Sequence, residues 1–249
     1  MEHIQKIVST FDPISLSEMD SVKLLDRFDT KYAFNFCKLP TLLNKLSSEY
    51  FILDIDNIRI NPYETLYYDT DNFLLYHQHH SGKLNRYKIR YRRYTETKLS
   101  FFEIKFKNNK NRTIKERIKQ RSIEQEIVGD AKDFLNKNPI LANEDFIPKL
   151  WVYYSRITLV NKNSSERLTL DLNLTYSDGI KKVSYPALVI AELKQEKNKN
   201  SFFSQLMKEQ HIKDSSISKY CFGIVILNNE IKHNNFNEKI KSINKLCHE

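Results

Sequence analysis

Arg86-Tyr87-Lys88-Ile89-Arg90-Tyr91-Arg92 is the stretch that decides the fold. Spaced two apart, Arg86, Lys88, Arg90 and Arg92 share one face of an extended strand, and Tyr87, Ile89 and Tyr91 share the other. One face is apolar and the other strongly cationic. The same division recurs further along the chain. Phe102, Ile104 and Phe106 oppose Glu103, Lys105 and Lys107, and Ile114 and Ile118 oppose Lys115, Arg117 and Lys119. Trp151, Tyr153, Ile157 and Leu159 oppose Tyr154 and Arg156. Leu168, Leu170 and Leu172 oppose Arg167, Thr169 and Asp171, and Val189, Ala191 and Leu193 oppose Ile190, Glu192 and Lys194. An ordinary antiparallel sheet with one wet face explains any single segment. It does not explain the set, because solvated faces mix signs to relieve cross-strand repulsion. These faces hold roughly ten cations against Glu103, Asp171 and Glu192. A polyanion held between them would supply the missing counter-charge. The expectation is an α+β fold in which about eight antiparallel strands close into a tunnel with peripheral helices. Arg90, Arg92, Lys105, Arg117, Arg156 and Lys194 would point inward.

At 249 residues, 40% hydrophobic and 29% charged, the chain reads as one soluble globular domain spanning 1–249, with no internal repeat and no compositional boundary. Its four glycines, Gly82, Gly129, Gly179 and Gly223, lie far apart. That excludes the glycine-rich phosphate loop and the three-glycine dinucleotide turn, so any nucleotide must be held by side chains. Forty Lys and Arg against 31 Asp and Glu leave a formal charge of +9, which suits an anionic partner. Abundant Lys, Asn and Ile suggest that base composition contributes to the surplus. Arginine argues for more, since seven of the 11 (Arg27, Arg86, Arg90, Arg92, Arg117, Arg156 and Arg167) fall in the alternating segments or just ahead of them. Cys37, Cys221 and Cys247 have no paired spacing, which fits a reducing, cytoplasmic compartment. The first residues mix charges without an apolar run of signal length. The longest apolar run, Cys221 to Leu227, is too short to span a bilayer. A membrane association would need a membrane-bound partner protein.

Between the strands, Ser15-Leu16-Ser17-Glu18 has the form of a capping box opening a helix over about 16–25. Pro40 with Leu42, Leu43 and Leu46 predicts a second helix, and Phe202, Phe203, Leu206 and Met207 predict another. Asp130 to Leu141 reads as helical or irregular, and a last helix is expected over about 237–246. His77, His79 and His80 precede Gly82 and read as the polar end of a hairpin rather than a zinc site. Cys221 reads as core packing, and Asn108 to Asn111 as a solvated loop tip.

From Arg27-Phe-Asp29-Thr-Lys31-Tyr32 onward the chain resembles the catalytic domain of the vacuolar transporter chaperone (VTC) family, a branch of the triphosphate tunnel metalloenzymes. The resemblance continues through Leu66-Tyr67-Tyr68-Asp69-Thr70, the Arg86 to Tyr94 segment, Phe102-Glu103-Ile-Lys105, Lys115-Glu-Arg117 and Tyr154-Ser-Arg156. It ends with Arg167-Leu-Thr-Leu-Asp171, Glu192-Leu-Lys194 and Ser218-Lys219-Tyr220. Each motif is weak alone, but nine in family order are specific. The resemblance implies a tunnel that binds ATP, triphosphate or polyphosphate through basic side chains, with Mn²⁺ or Mg²⁺ held by acidic ones. VTC-type members polymerise polyphosphate from ATP, whereas other tunnel enzymes hydrolyse triphosphates or cyclise ATP. Lys31, Arg90, Arg92, Lys105 and Lys115 fall on phosphate-contact motifs, as do Arg117, Arg156, Arg167 and Lys219. Glu192 falls on the metal position, and Lys31, Arg90, Arg92 and Glu192 form the implied catalytic set. Where the superfamily opens with Glu-x-Glu-x-Lys, this chain has Arg27-x-Asp29-x-Lys31, which weakens the metal set and favours the VTC branch.

The chemistry follows from the residue types. Phosphoryl transfer asks little of a protein beyond in-line positioning and stabilisation of charge on phosphate oxygens. Arg suits bidentate phosphate contact, and Lys acts as a mobile point charge. Arg86, Lys88 and Lys194 share the cationic faces and join the phosphate-binding set. Glu192 and Asp171, with Asp29 and Glu103, offer oxygens to a hard divalent ion. Two other readings use the same cations: a non-catalytic module binding polyphosphate or an inositol phosphate, and a nucleic-acid-binding barrel. The second needs aromatics on the cationic face for base stacking, and Tyr87 and Tyr91 face away from it.

Overall fold

The computed structural model describes residues 1–21, 27–110, 112–196 and 201–248. Eight antiparallel strands run side by side in the order β2 (Arg27–Asn35), β11 (Leu188–Glu196), β9 (Arg167–Ser177), β8 (Ile147–Asn161), β4 (Asn61–Asp69), β5 (Arg86–Tyr94), β6 (Leu99–Lys107) and β7 (Thr113–Gln120). Three more extend the sheet: β1 (Pro13–Ile14) pairs with β3 (Tyr50–Leu53), which pairs with β8, and β10 (Lys182–Tyr185) pairs with β9.

The fold is α+β with an antiparallel sheet, as expected, but the sheet holds more than eight strands and is not closed. Among the described residues β2 and β7 do not pair. The outer edge of β2 is taken instead by a loop, where Ser215 N–H donates to the Lys31 carbonyl at 2.7 Å and Asp214 bridges Tyr32. Alternating charge specifies which way side chains point; it carries no information on whether edge strands join. The sheet nevertheless curls until its two halves face each other. Lys105 on β6 feels Glu192 and Lys194 on β11, and Lys88 on β5 feels Lys31 on β2.

Helices cover the convex side. Against β2, β11, β9 and β8 lie α1 (Glu2–Val8), α3 (Leu39–Leu46) and α7 (Phe202–Glu209), which bury Ile4, Leu42, Leu43 and Phe203 with Ile157, Leu170 and Ala191. Pro40 sits in the first turn of α3, where its missing N–H is harmless. Against β4, β5 and β6 lie α5 (Gly129–Asn136) and α6 (Pro139–Ala142), which pack Ala131, Leu135 and Leu141 on Ile89, Tyr91 and Phe102. In α2 (Leu16–Ser21), Glu18 accepts from Ser15 N–H at 2.9 Å and Ser15 Oγ accepts from Glu18 N–H at 3.3 Å, so the capping box forms. The rest of the helix expected over 16–25, residues 22–25, lies outside the described residues.

One element differs from expectation, and one helix had no counterpart in the sequence reading. His77, His79 and His80 lie on a helix, α4 (Leu74–His80), rather than a hairpin end. Asp69 starts it by accepting from Leu75 and Tyr76 N–H, both at 2.8 Å, and the Thr70 hydroxyl accepts from Leu74 N–H at 2.9 Å. Cys221 to Leu227 belongs to α8 (Lys219–Leu227), which lies on the concave side against Leu150, Val152, Leu174 and Tyr176. Because it is enclosed all round, α8 has no polar stripe to betray a helix. α9 (Asn237–His248) runs slightly past the expected end, with Ile243 buried and the Asn35 amide donating to the Leu246 carbonyl at 2.6 Å.

Gly223 is where α8 touches the sheet. A Cβ there would stand 2.6 Å from both Leu150 Cδ2 and Tyr176 Cδ1. Gly223→Val should therefore destabilise the protein by about 1–3 kcal/mol through overpacking, read as a lower urea midpoint with an unchanged slope.

Candidate anion-binding site

The concave face is built by cross-strand register. Arg90 lies opposite Tyr67 on β4 and Glu103 on β6, and Glu103 lies opposite Arg117 on β7. Glu103 is fully buried and takes Arg90 Nε and Nη2 on one oxygen at 2.7 and 2.6 Å, with Lys115 on the other. Burial would raise its pKa, but Arg90, Arg92 and Lys115 hold it well below the usual carboxylate range. A second clamp joins β8, β9 and α8. Asp171, 1% exposed, receives a two-pronged contact from Arg156, Nε at 2.6 Å and Nη2 at 2.9 Å, and pairs with Lys219 as well. These cations outweigh burial and bring Asp171 to about 2. In the third, Glu192 Oε1 lies 2.9 Å from Lys194 Nζ and 3.5 Å from Lys31 Nζ, and Lys194 reaches Asp29 at 3.3 Å. Glu192 is held well below its ordinary value by Lys194, Lys31 and Lys105 against the effect of burial.

Other expected residues lie between these clamps without a carboxylate within ion-pair distance among the described residues. Arg92 approaches Thr65 Oγ1 at 3.5 Å and stands over the rings of Tyr63 and Tyr154, 5.6 and 6.0 Å from their centroids. Lys88 donates to Ser218 Oγ at 2.9 Å. Lys105 is flanked in register by Lys88 and Lys115. Burial and neighbouring cations push both Lys88 and Lys105 below the ordinary lysine value. Arg117 lies over Phe101 at 4.5 Å. Two expected residues donate to backbone carbonyls, and one of them, Arg167, lies opposite Lys194 in register. Arg86 donates to His79 Nε2 at 3.3 Å and to the Lys83 carbonyl at 2.7 Å, and Arg167 donates to the Met19 carbonyl at 2.9 Å. Burial, with Lys88, Arg86, Lys107 and Lys239 nearby, lowers His79 to about 2 and keeps it neutral.

Sequence reasoning missed the inner-face tyrosines contributed by β4. Tyr87 and Tyr91 do face outward, but Tyr63 and Tyr67 face inward beside Tyr154, with Tyr63 stacked on Tyr154 at 5.2 Å. Arg92 and Arg156 cover that pair. The alternation of Tyr63, Thr65 and Tyr67 against Leu66 and Tyr68 was the available signal. Ser218 was also missed; its side chain accepts from Cys221 N–H at 3.3 Å and so caps α8 at the cationic end of the interior.

Among the described residues no three His, Cys, Asp or Glu side chains gather closely enough to hold a metal. Glu103 and Asp171 have both oxygens committed to cations. Glu192 meets both its cations on Oε1, and Lys194 joins it to Asp29. Two carboxylates fit Mg²⁺ or Mn²⁺ only if phosphate oxygens and water complete the shell, which is common for Mg²⁺. Removing a partner from a buried ion pair is costlier than any surface change, so Asp171→Asn should destabilise the protein by about 3–5 kcal/mol at neutral pH. Since the folded pKa lies below the unfolded value, this stabilisation is complete above about pH 4 and fades as pH falls toward 2. Urea unfolding of both proteins across that range should show the gap closing in acid.

The profile of the VTC domain matches residues 26–228. No curated protein matches the chain by sequence. Among solved structures, a candidate adenylate cyclase from Bacillus halodurans superposes with a TM-score of 0.51 at 14% identity, covering 78% of this chain and 94% of that one. A candidate adenylyl cyclase from Hippeastrum with a dominant triphosphatase activity superposes with a TM-score of 0.49 at 14% identity, covering 84% and 98%. The Bacillus halodurans protein shares the fold. With the profile spanning most of the chain, from the start of the strand that carries Lys31 to the end of α8, the protein belongs to the VTC-domain family.

Proposed function

We propose that the chain, acting as a single domain, is a metal-dependent phosphotransferase that works on ATP and polyphosphate within the cationic interior, most specifically a polyphosphate polymerase. The observation that carries the reading is the set of Lys88, Arg92 and Lys105, enclosed cations with no carboxylate within ion-pair distance among the described residues. A chain of phosphates lying along β5 and β6 supplies the absent charge. Arg90 and Arg156 keep their guanidinium planes fixed by Glu103 and Asp171, so their remaining N–H groups are aimed before any ligand arrives. Lys31 and Lys194 face the same space from β2 and β11. In the transfer, a terminal phosphate oxygen attacks the γ-phosphorus of ATP. The bond to the bridging oxygen breaks, its electron pair leaves with ADP, and the acceptor grows by one phosphate. Arg and Lys stabilise the charge spread over the transferred group. A divalent ion on Asp29 and Glu192 would neutralise phosphate charge there.

The double occupation of Glu103, Asp171 and Glu192 favours a second reading, a non-catalytic polyphosphate or inositol-phosphate module, while hydrolysis of triphosphate would need only water as acceptor. Nucleic acid fits poorly for a reason different from the one legible in the sequence: inner-face tyrosines exist, but Tyr63 and Tyr154 are buried beneath Arg92 and Arg156, leaving no ring face for a base. No helix among the described residues is long and apolar enough to cross a membrane. Cytoplasmic work, with or without a membrane-bound partner, is compatible with this reading.

Incubation with ATP and Mn²⁺, scored for ADP release and polymer formation, separates the readings. Glu192→Gln should lower product formation by about 10²-fold or more and leave tripolyphosphate affinity equal or higher, because it removes negative charge that faces the phosphates. Arg90→Ala should weaken binding and turnover together by about 1.5–3 kcal/mol. A wild-type protein that binds tripolyphosphate without turnover under any divalent ion supports the binding module.

A further inference from the structure

Tyr67 has no part in the scheme above, yet it is built into the same interior. It stands opposite Arg90 on β5, is 5% exposed, and accepts a hydrogen bond from Arg90 Nη1 at 3.1 Å. Its own hydroxyl hydrogen has no acceptor among the described residues. A buried donor left unused is uncommon in a folded protein and calls for a partner. The ring is braced from behind by Tyr220 of α8 at 5.2 Å, and Tyr220 in turn donates its hydroxyl to Asp69. Tyr67 is therefore held in place rather than free to turn elsewhere. The charged groups that act on the phenol are Arg90, Arg92 and Lys88, all donors, so the missing partner is an acceptor and carries negative charge.

We propose that the Tyr67 hydroxyl is a ligand-facing donor, which hydrogen-bonds a phosphate oxygen of the polyanion held beside Arg90. This rests on the polyphosphate reading of the interior. It adds a neutral, directional contact to a site otherwise made of cations. The electrostatics agree: burial raises the phenol's pKa, but Arg90, Arg92 and Lys88 outweigh it and draw the group below its ordinary value. An acidified O–H is a stronger donor to an anion.

Tyr67→Phe keeps the ring against Tyr220 and removes only the hydroxyl. Calorimetry with sodium tripolyphosphate at fixed salt should show wild type binding about 3–10-fold more tightly than Tyr67→Phe, with both proteins unfolding at similar temperatures. A second measurement needs no variant. In the free wild type, tyrosinate absorbance should rise in a step below the ordinary phenol range. Tripolyphosphate should move that step upward, because a hydrogen bond donated to an anion favours the protonated phenol. Equal affinities in the two proteins, or a wild-type step indifferent to bound ligand, would overturn the assignment of Tyr67 alone. If the wild type gives no binding heat with tripolyphosphate, the polyphosphate reading itself fails and Tyr67 loses its ligand with it.

Discussion

Cations gathered on the inside of a curled sheet lose hydration and repel one another, and carboxylates standing among them offset much of that cost. Glu103, Asp171 and Glu192 do this, and each holds two cations from different elements. The Glu103 clamp fastens β5, β6 and β7 side by side. The Asp171 clamp ties β8 and β9 to the start of α8, and the Glu192 clamp ties β11 to β2. The same ion pairs thus hold the strands in register and hold the guanidinium planes at fixed angles. On the proposed phosphate-binding reading, stability and ligand recognition draw on one set of contacts.

Helix α8 divides the concave side into an apolar part and a cationic part. Its body, from Tyr220 to Leu227, fills the space over Leu150, Val152, Leu174 and Tyr176. Its first turn brings Ser218 to Lys88 and Lys219 to Asp171. The depth to which α8 can settle is set by Gly223, and its direction by Tyr220 against Asp69, the residue that also begins α4. Leu66-Tyr67-Tyr68-Asp69-Thr70 and Ser218-Lys219-Tyr220 lie some 150 positions apart, and the Asp69 to Tyr220 contact spans 151 of them. The two motifs therefore meet as one structural unit.

Much of this was legible because period-two alternation holds within each stretch that was read, and β9 changes face only beyond it, at Asn173, where its register with β8 shifts. Every strand face read from Arg86 to Lys194 lies as the alternation required, and the covered apolar faces lie under helices as an amphipathic sheet demands. Three features were not legible, each for a physical reason. Closure depends on hydrogen bonding between edges, and the loop at Asp214 and Ser215 occupies the β2 edge that closure would use. α8 is apolar all round, so it shows no helical stripe and reads as a bare hydrophobic run. The capping of α4 by Asp69 depends on a carboxylate six and seven residues ahead of the N–H groups it receives, outside the usual capping spacing. At the site, residue types announced an anion, but the pairing of each carboxylate with two cations is a tertiary fact. Glu192 holds both its cations on Oε1, whereas Glu103 and Asp171 have both oxygens engaged.

The carboxylates also moderate the site they organise. An interior of unopposed Arg and Lys would bind any polyanion tightly in substrate and product alike, and uniform binding of that kind lowers KM without raising kcat. By holding Arg90, Lys115, Arg156, Lys219, Lys31 and Lys194 in pairs, Glu103, Asp171 and Glu192 reduce the attraction felt by a resting phosphate chain. They leave without a carboxylate partner only cations such as Lys88, Arg92 and Lys105, which lie between the clamps. Charge that builds on a transferring phosphoryl group can then be met by cations already oriented, with no reorganisation at the moment of reaction. On the phosphotransferase reading, the local balance of paired and unpaired cations, rather than the total of +9, is what would let this surface tell a reacting phosphate from a resting one.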